Sequence, residues 1–207
     1  MVGEPTWYGP GMGDEDTGAG RAVSLRHTSQ LTERELRQVW ELLDGAFEGD
    51  FGDEDFEHAL GGMHVLVHEG GEPVAHGSVV QRRVLHQGRA LRTGYVEAVA
   101  VRADRRRCGL GGTVMGALEG VVERAYVLGA LSASAAGARL YAGRGWRVWG
   151  GEIGVLGPGG PERLPEEEGS TYVWEPPGGG GGGGPPPRAP GGGGARPATC
   201  RVSTGPG

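Results

Sequence analysis

The chain has 207 residues, of which 45 are Gly and 14 are Pro, with a net charge of −6 and a pI near 5.5. That length suits one domain rather than two, and the acidic balance argues against nucleic acid as the main partner and toward cations. Two cysteines, Cys108 and Cys200, build neither a disulfide framework nor a cysteine-based metal site; with no signal pattern and no apolar run near 20 residues, a cytoplasmic setting without membrane association is expected.

Residues 1–20 are rich in Gly, Pro and acid without periodicity and read as a disordered leader. Ala22–Arg26 is a plausible first strand. Thr32 followed by Glu35 makes a capping box, and Leu36, Val39, Trp40, Leu43 and Phe47 recur at helical spacing, so a helix should run to Gly45–Gly49. A short helix fits Glu54–Leu60, stopped by Gly61-Gly62. Strands Met63–His68 and Pro73–Val84 flank a Gly-Gly turn, and a turn at Gln87-Gly88 leads to strand Leu91–Val101. A helix over Leu110–Leu128, a strand over Ala130–Ser134, a helix over Ala135–Arg144 and strands near Trp146–Trp149 and Thr171–Trp174 complete the domain, set at 21–175. Residues 176–207 are runs of Gly and Pro and are expected to form a disordered tail. The absence of Lys and Asn points to GC-rich coding, under which an out-of-frame ending would also read as Gly, Pro, Arg and Ala.

The strongest local pattern is the stretch from Val99 to Gly112, a strand, an Arg-rich turn, glycines and then a helix start. Glycines let backbone N–H groups approach a diphosphate, and a helix N-terminus adds roughly half a positive charge. Arginines contribute forked donors. A plain turn with solvated arginines remains the alternative at this point. The spacing is not that of the Walker loop, which needs Gly-Lys-Ser/Thr, nor of the dinucleotide fingerprint, whose first Gly is missing. It resembles the Arg/Gln-x-x-Gly-x-Gly/Ala loop of the GCN5-related N-acetyltransferases.

Ala138-Arg139-Leu140-Tyr141 followed by Gly145-Trp146 is similar to the second signature of that family. The stretch from Leu25 to Trp174 resembles more closely the aminoglycoside 2′-N-acetyltransferases of actinobacteria. Gly45–Phe51, Leu60–His64, Gln81–Arg83, Gly94–Glu97, Gly129–Ser132 and Arg139–Ala142 carry the likeness. The resemblance implies a mixed α/β fold, the acyl-CoA N-acyltransferase fold with splayed central parallel strands. It implies acetyl-CoA as cosubstrate, with Val99, Ala100 and Val101 meeting the pantetheine arm. The loop Arg106, Arg107, Cys108, Gly109, Leu110 and Gly111 would meet the diphosphate.

The same resemblance suggests the acetyl-transfer residues. An aliphatic amine is mostly protonated at neutral pH and needs a base before it can attack a thioester. Glu97, in an otherwise apolar strand where a carboxylate is costly, is the candidate; a Glu simply paired with an Arg is the alternative. Tyr141 would return a proton to the leaving thiolate, against the alternative of an aromatic packed on the core. A polycationic acceptor calls for carboxylates, and Asp50, Glu166 and Glu167 are placed as amine contacts beside Glu97, Ala98 and Ser132. Acidic runs are otherwise solvated surface. The histidines show no metal-binding spacing, and no metal is expected.

Departures from the family are Glu166-Glu167 where Asp is usual, Ala98 where Gly is common, and the Gly/Pro ending in place of sequence that closes the acceptor site. The ending would weaken any homodimer contact. Two other readings stay open: an acetyltransferase for a different small-molecule amine, and a CoA-binding module without turnover.

Overall fold

The computed structural model describes residues 20–177 and the backbone of 200–203. The first strand, β1 (Arg21–His27), pairs antiparallel with β2 (Met63–Glu69), Arg21 facing Glu69 and His27 facing Met63. Between them lie two helices. In α1 (Glu33–Ala46), Thr32 Oγ1 accepts from Glu35 N at 3.3 Å and Glu35 Oε2 accepts from Thr32 N at 2.8 Å, so the capping box forms as its spacing dictates. The helix buries Val39, Leu42 and Leu43. The second helix, α2 (Asp53–Ala59), follows a loop in which Phe47 stacks on Phe51 and Phe51 meets Phe56 edge-on.

Strand β2 turns through Gly70-Gly71 into β3 (Glu72–His86), which turns at Gln87-Gly88 into β4 (Arg89–Val101). Helix α3 (Leu110–Ala125) crosses one face of the sheet and leads to β5 (Leu128–Ser132), parallel to β4. The short helix α4 (Ala138–Ala142) precedes β6 (Arg147–Val148). Strands β7 (Ile153–Gly157) and β8 (Gly160–Arg163) form a hairpin, and β9 (Thr171–Trp174) returns between β5 and β6. Cys200–Ser203 forms β10, giving the order β6-β9-β5-β4-β3-β10-β7-β8, with β2 paired to β3 off this path and β1 paired to β2.

Strand alternation decides the two layers. Val65 and Val67 turn toward α3, joining Val114, Leu118 and Val122, while Leu66 turns to the α1 face with Val39 and Leu43. Helix α3 sits close to the sheet because Gly77 has no side chain; a Cβ there would lie 2.6 Å from Val114 Cγ1. The mixed α/β expectation is met.

Several expected boundaries shift for physical reasons. The third helix stops at Ala125 rather than Leu128, because Val127 N already donates to Arg92 O and Leu128 enters the sheet. The last helix is five residues long, since Ser134 turns the chain before it, accepting from Gly137 N and Ala138 N. Strands β7 and β8 fall between the expected strands near Trp146–Trp149 and Thr171–Trp174, a stretch to which the sequence assigns no element. Gly154 allows their close pairing, a Cβ there lying 2.5 Å from Glu162 O. The leader lies outside the described residues except for Gly20, as does most of the tail. Within the tail, Cys200–Ser203 departs from the structureless expectation by pairing with β3 and β7. The physical opening is β3 itself, whose first half is paired by β2 while the stretch near Val84 leaves an edge to be filled.

Candidate active site

Strands β4 and β5 pair at Thr93–Leu128, Gly94–Gly129 and Tyr95–Ala130, and no further. Beyond Tyr95 they part, leaving a V-shaped opening between the rest of β4 and the end of β5. A cleft of about 630 Å3 fills this region, walled by Val99, Ala100 and Val101, floored by Arg106, Arg107 and Gly109–Gly112, and closed by Leu140 and Tyr141. The splay supplies backbone groups without ladder partners between these two strands, which suits an extended amide-bearing arm.

The turn before α3 is built for an anion. Arg107 and Gly109 both adopt left-handed backbone, at φ 62° and 80°, and Gly109 is the helix cap without a capping side chain. The first N–H groups of α3 therefore have no intrahelical acceptor and open to the cleft with the helix dipole behind them. At Gly111 a Cβ would stand 3.1 Å from Leu140 Cδ2, so glycine keeps the cradle clear. Arg106 spans the rim, its Nη2 donating to Ala46 O at 2.7 Å, while Arg107 is exposed. Cys108 is exposed, its thiol 3.6 Å from Arg106 O, and is not part of the cleft wall. These features fit a CoA diphosphate and pantetheine arm.

Glu97 lies on β4, two residues before the cleft wall begins. Its carboxylate accepts from Arg82 Nη2 on β3 at 2.8 Å, and the two side chains are only 22% and 14% exposed. Burial raises its pKa above the ordinary carboxylate value; Arg82 opposes the shift, and the negative charges of Glu167 and Asp55 add to it. Arg82 also stacks over the Tyr95 ring, 5.2 Å from its centroid. The pairing with an arginine that the sequence left as an alternative is present, yet burial outweighs it and leaves Glu97 readier to take up a proton than an ordinary carboxylate.

Between Glu97 and the cleft wall, β4 bulges. His76 faces Ala100 and Ser78 faces Glu97, so Gly77 stands against two residues, and Ala98 takes φ 51°. A left-handed conformation costs an alanine about 1–2 kcal/mol.

Ser132, at the end of β5, donates to Glu167 Oε2 at 2.7 Å. The Tyr95 hydroxyl, 2.9 Å from Ser132 Oγ, must then be the donor to that serine. Glu167 sits in a single 3-10 turn, Pro165–Glu167, clasped by β9 through Thr171 Oγ1 donating to Glu167 O. Of the other carboxylates placed here from the sequence, Glu166 is exposed and Asp50 is exposed beyond α1. Asp55, not Asp50, is the member of the first acidic stretch whose charge reaches Glu97. Arg82, Tyr95 and Asp55 surround Glu97 without having been assigned a role from the sequence: Arg82 and Tyr95 lie in the Gln81–Arg83 and Gly94–Glu97 stretches of the family likeness, and period-two alternation puts Tyr95 on the face of Glu97, but no spacing singles out Asp55.

Tyr141 on α4 borders the same cleft, packed against Trp146 and Tyr172. Burial pushes its phenol up to about 12, so it stays protonated at neutral pH. Among the described residues no group of three or more His, Cys, Asp or Glu could hold a metal ion, and no helix is long and apolar enough to cross a membrane.

Comparison with known proteins agrees with this geometry. Residues 27–149 match the acetyltransferase (GNAT) domain family. An aminoglycoside 2′-N-acetyltransferase of Mycolicibacterium fortuitum is 50% identical over 149 residues, 72% of this chain and 76% of that protein. Among solved structures, Escherichia coli ElaA matches with a TM-score of 0.54 at 18% identity, over 74% of this chain and 98% of that one. An acyl-CoA N-acyltransferase from Pseudomonas aeruginosa matches with 0.53 at 17%, over 74% and 97%. A GCN5-related N-acetyltransferase from Kribbella flavida matches with 0.53 at 20%, over 64% of this chain but only 35% of that one, so this chain spans about a third of that relative. With its splayed strands, its glycine-lined turn and a match over more than half its length, the chain belongs to the GNAT acetyltransferase family.

Proposed function

We propose that the protein acetylates the 2′-amine of aminoglycoside antibiotics with acetyl-CoA and thereby confers resistance to them. The observation that carries the proposal is Glu97: a desolvated carboxylate beside the cofactor cleft and within reach of the charge of Glu167, in a chain 50% identical to an aminoglycoside 2′-N-acetyltransferase.

Bound acetyl-CoA supplies the activated acetyl group. Backbone N–H groups from Leu110 to Gly112 and the guanidinium groups of Arg106 and Arg107 hold its diphosphate, and Val99–Val101 hold its arm. Glu167, Asp55 and Glu97 draw in a polycationic acceptor. Glu97 then takes a proton from the acceptor ammonium, directly or through water, which its raised pKa favours. Arg82 keeps that carboxylate oriented while it waits. The freed amine would attack the thioester carbonyl, the C–N bond forming as the C–S bond breaks; Tyr141, protonated at neutral pH, would pass its proton to the leaving thiolate and recover one from the acetylated nitrogen.

The test is thiol release from acetyl-CoA with gentamicin- and kanamycin-type acceptors beside simple amines, followed by mass mapping of the product. Acetylation at the 2′ position, faster than for simple amines, is expected. Equal rates for simple amines would defeat the aminoglycoside assignment, and acetyl-CoA binding without any turnover would favour a non-catalytic module.

A further inference from the structure

Two buried histidines have no part in this chemistry, yet they end on the bulge beside Glu97. His64 on β2 and His76 on β3 are fully buried, with ring centroids 5.2 Å apart. His76 Nδ1 lies 2.9 Å from Ala98 O, His64 Nδ1 lies 2.9 Å from His76 Nε2, and Thr28 Oγ1 lies 2.8 Å from His64 Nε2. Gly61 N and Gly62 N donate to that threonine oxygen.

The directions of these bonds follow from chemistry alone. A carbonyl only accepts, so His76 carries its proton on Nδ1 and, being neutral, accepts at Nε2. His64 must therefore donate from Nδ1 and accept at Nε2, and Thr28 must supply that proton. One arrangement satisfies every atom from Thr28 to Ala98. A proton added at His76 Nε2 would set donor against donor, and one added at His64 Nε2 would turn the Thr28 hydroxyl proton away to Gly62 O, 3.2 Å off, onto an oxygen that already accepts from Gly61 N and Gly62 N. Burial agrees, holding His64 down at about 4 and His76 at about 3.

The geometry points to Thr28, His64 and His76 as positioning residues that lock the Ala98–Val99 peptide, and with it the spacing between Glu97 and the cofactor wall. Ala98 is the left-handed residue of the bulge, and its carbonyl is taken by a side chain rather than by the strand ladder. A trans peptide aims its C=O and its N–H in opposite directions, so holding the Ala98 oxygen also sets the Val99 N–H. Glu97 is fixed to one side of this peptide and Val99, a cleft wall, to the other. The inference rests on the acetyl-transfer reading for its effect on rate, though not for its effect on the backbone.

His76→Leu removes the donor, whereas His76→Asn keeps an N–H near the place of Nδ1. Expected for His76→Leu are a fall in kcat of about tenfold to a hundredfold, the scale of an ångström of misplacement, with acetyl-CoA affinity nearly unchanged. His76→Asn should recover most of the rate. Amide exchange at Ala98 and Val99 should accelerate in His76→Leu while exchange near Tyr95 stays slow. Wild-type kcat in His76→Leu, or unchanged exchange at Ala98 and Val99, overturns the inference. If His76→Leu fails to fold, Thr28→Val and the ring nitrogen shifts of the wild type decide: a proton found on His76 Nε2 overturns it, and a proton on Nδ1 with faster Val99 exchange in Thr28→Val supports it. Should the wild type turn over no amine, the acetyl-transfer reading fails while the exchange data still decide this one.

Discussion

Replacing Glu97 by Gln separates the base from the merely paired carboxylate. Gln keeps an oxygen that can accept from Arg82 Nη2, now 2.8 Å from Glu97 Oε1, so the hydrogen bond survives and only the charge and the basicity go. Arg82 is 14% exposed, its Nε already has no hydrogen-bond partner among the described residues, and it retains the Tyr95 ring. Losing charge assistance at such a site should cost about 1–3 kcal/mol of stability, which leaves the fold intact. A general base contributes about 100-fold to 10,000-fold, so kcat should drop by that factor while acetyl-CoA affinity changes less than about twofold. The acid limb of the wild-type kcat/KM profile should lie above the ordinary carboxylate range, because burial outweighs Arg82 in setting the Glu97 pKa, and Gln should abolish that limb. Thiol release across pH, calorimetry with acetyl-CoA and a thermal melt give the three numbers. A Gln variant with kcat within about threefold of wild type and the acid limb in place would refute the base assignment.

Other residues give independent checks. Tyr141→Phe keeps the contacts with Trp146 and Tyr172 and loses a hydroxyl that makes no hydrogen bond among the described residues, so Tm should hold while kcat falls about tenfold to a hundredfold. Glu167→Gln should raise KM for a polycationic acceptor about twofold to fivefold and shift the acid limb downward, since the Glu167 charge raises the Glu97 pKa. Ala98→Gly should relieve the left-handed backbone and change stability by no more than about 1 kcal/mol in either direction, the lost strain being offset by chain entropy; a large destabilisation measured by denaturant would contradict the bulge conformation. Stability should also decline in acid. His64, ordinary value 6.5, is held at about 4 in the fold, so the unfolded chain takes up its proton first as pH falls. The loss begins near pH 6.5 and amounts to about 3 kcal/mol by pH 4, with His76 acting in the same direction; His64→Phe, if it folds, should flatten that slope in melts taken across pH.

Local physics was legible along the chain. A threonine three residues before a glutamate, with apolar residues at helical spacing, announced α1, and its capping box formed. The Gly-Gly and Gln-Gly turns announced the antiparallel hairpins that present β4. The arginine-and-glycine turn ahead of α3 announced the anion cradle, because helix ends and glycine backbones bind charge through groups that neighbours in sequence supply. The expected cofactor residues Val99–Val101, Arg106, Arg107 and Gly109–Gly111 line one cleft for that reason, with Cys108 alone off its wall.

What no spacing contained lies between strands. The end of α3 was misread because Leu128 is apolar enough for either state, and only the backbone bond from Val127 to Arg92 decided it. That the Asp55 charge reaches Glu97, with Asp55 in the first turn of α2 and Asp50 in the loop before it, depends on how α2 packs beside the sheet. Arg82 reaches Glu97, and His64 reaches His76, because β2, β3 and β4 lie side by side in a given register. The chain by itself therefore determined the helices, the hairpins and the cofactor turn, whose causes are local. The surroundings of Glu97, the Ser132–Glu167 contact and the histidine chain were decided only by tertiary structure, since burial and cross-strand hydrogen bonds exist only once distant segments share one sheet.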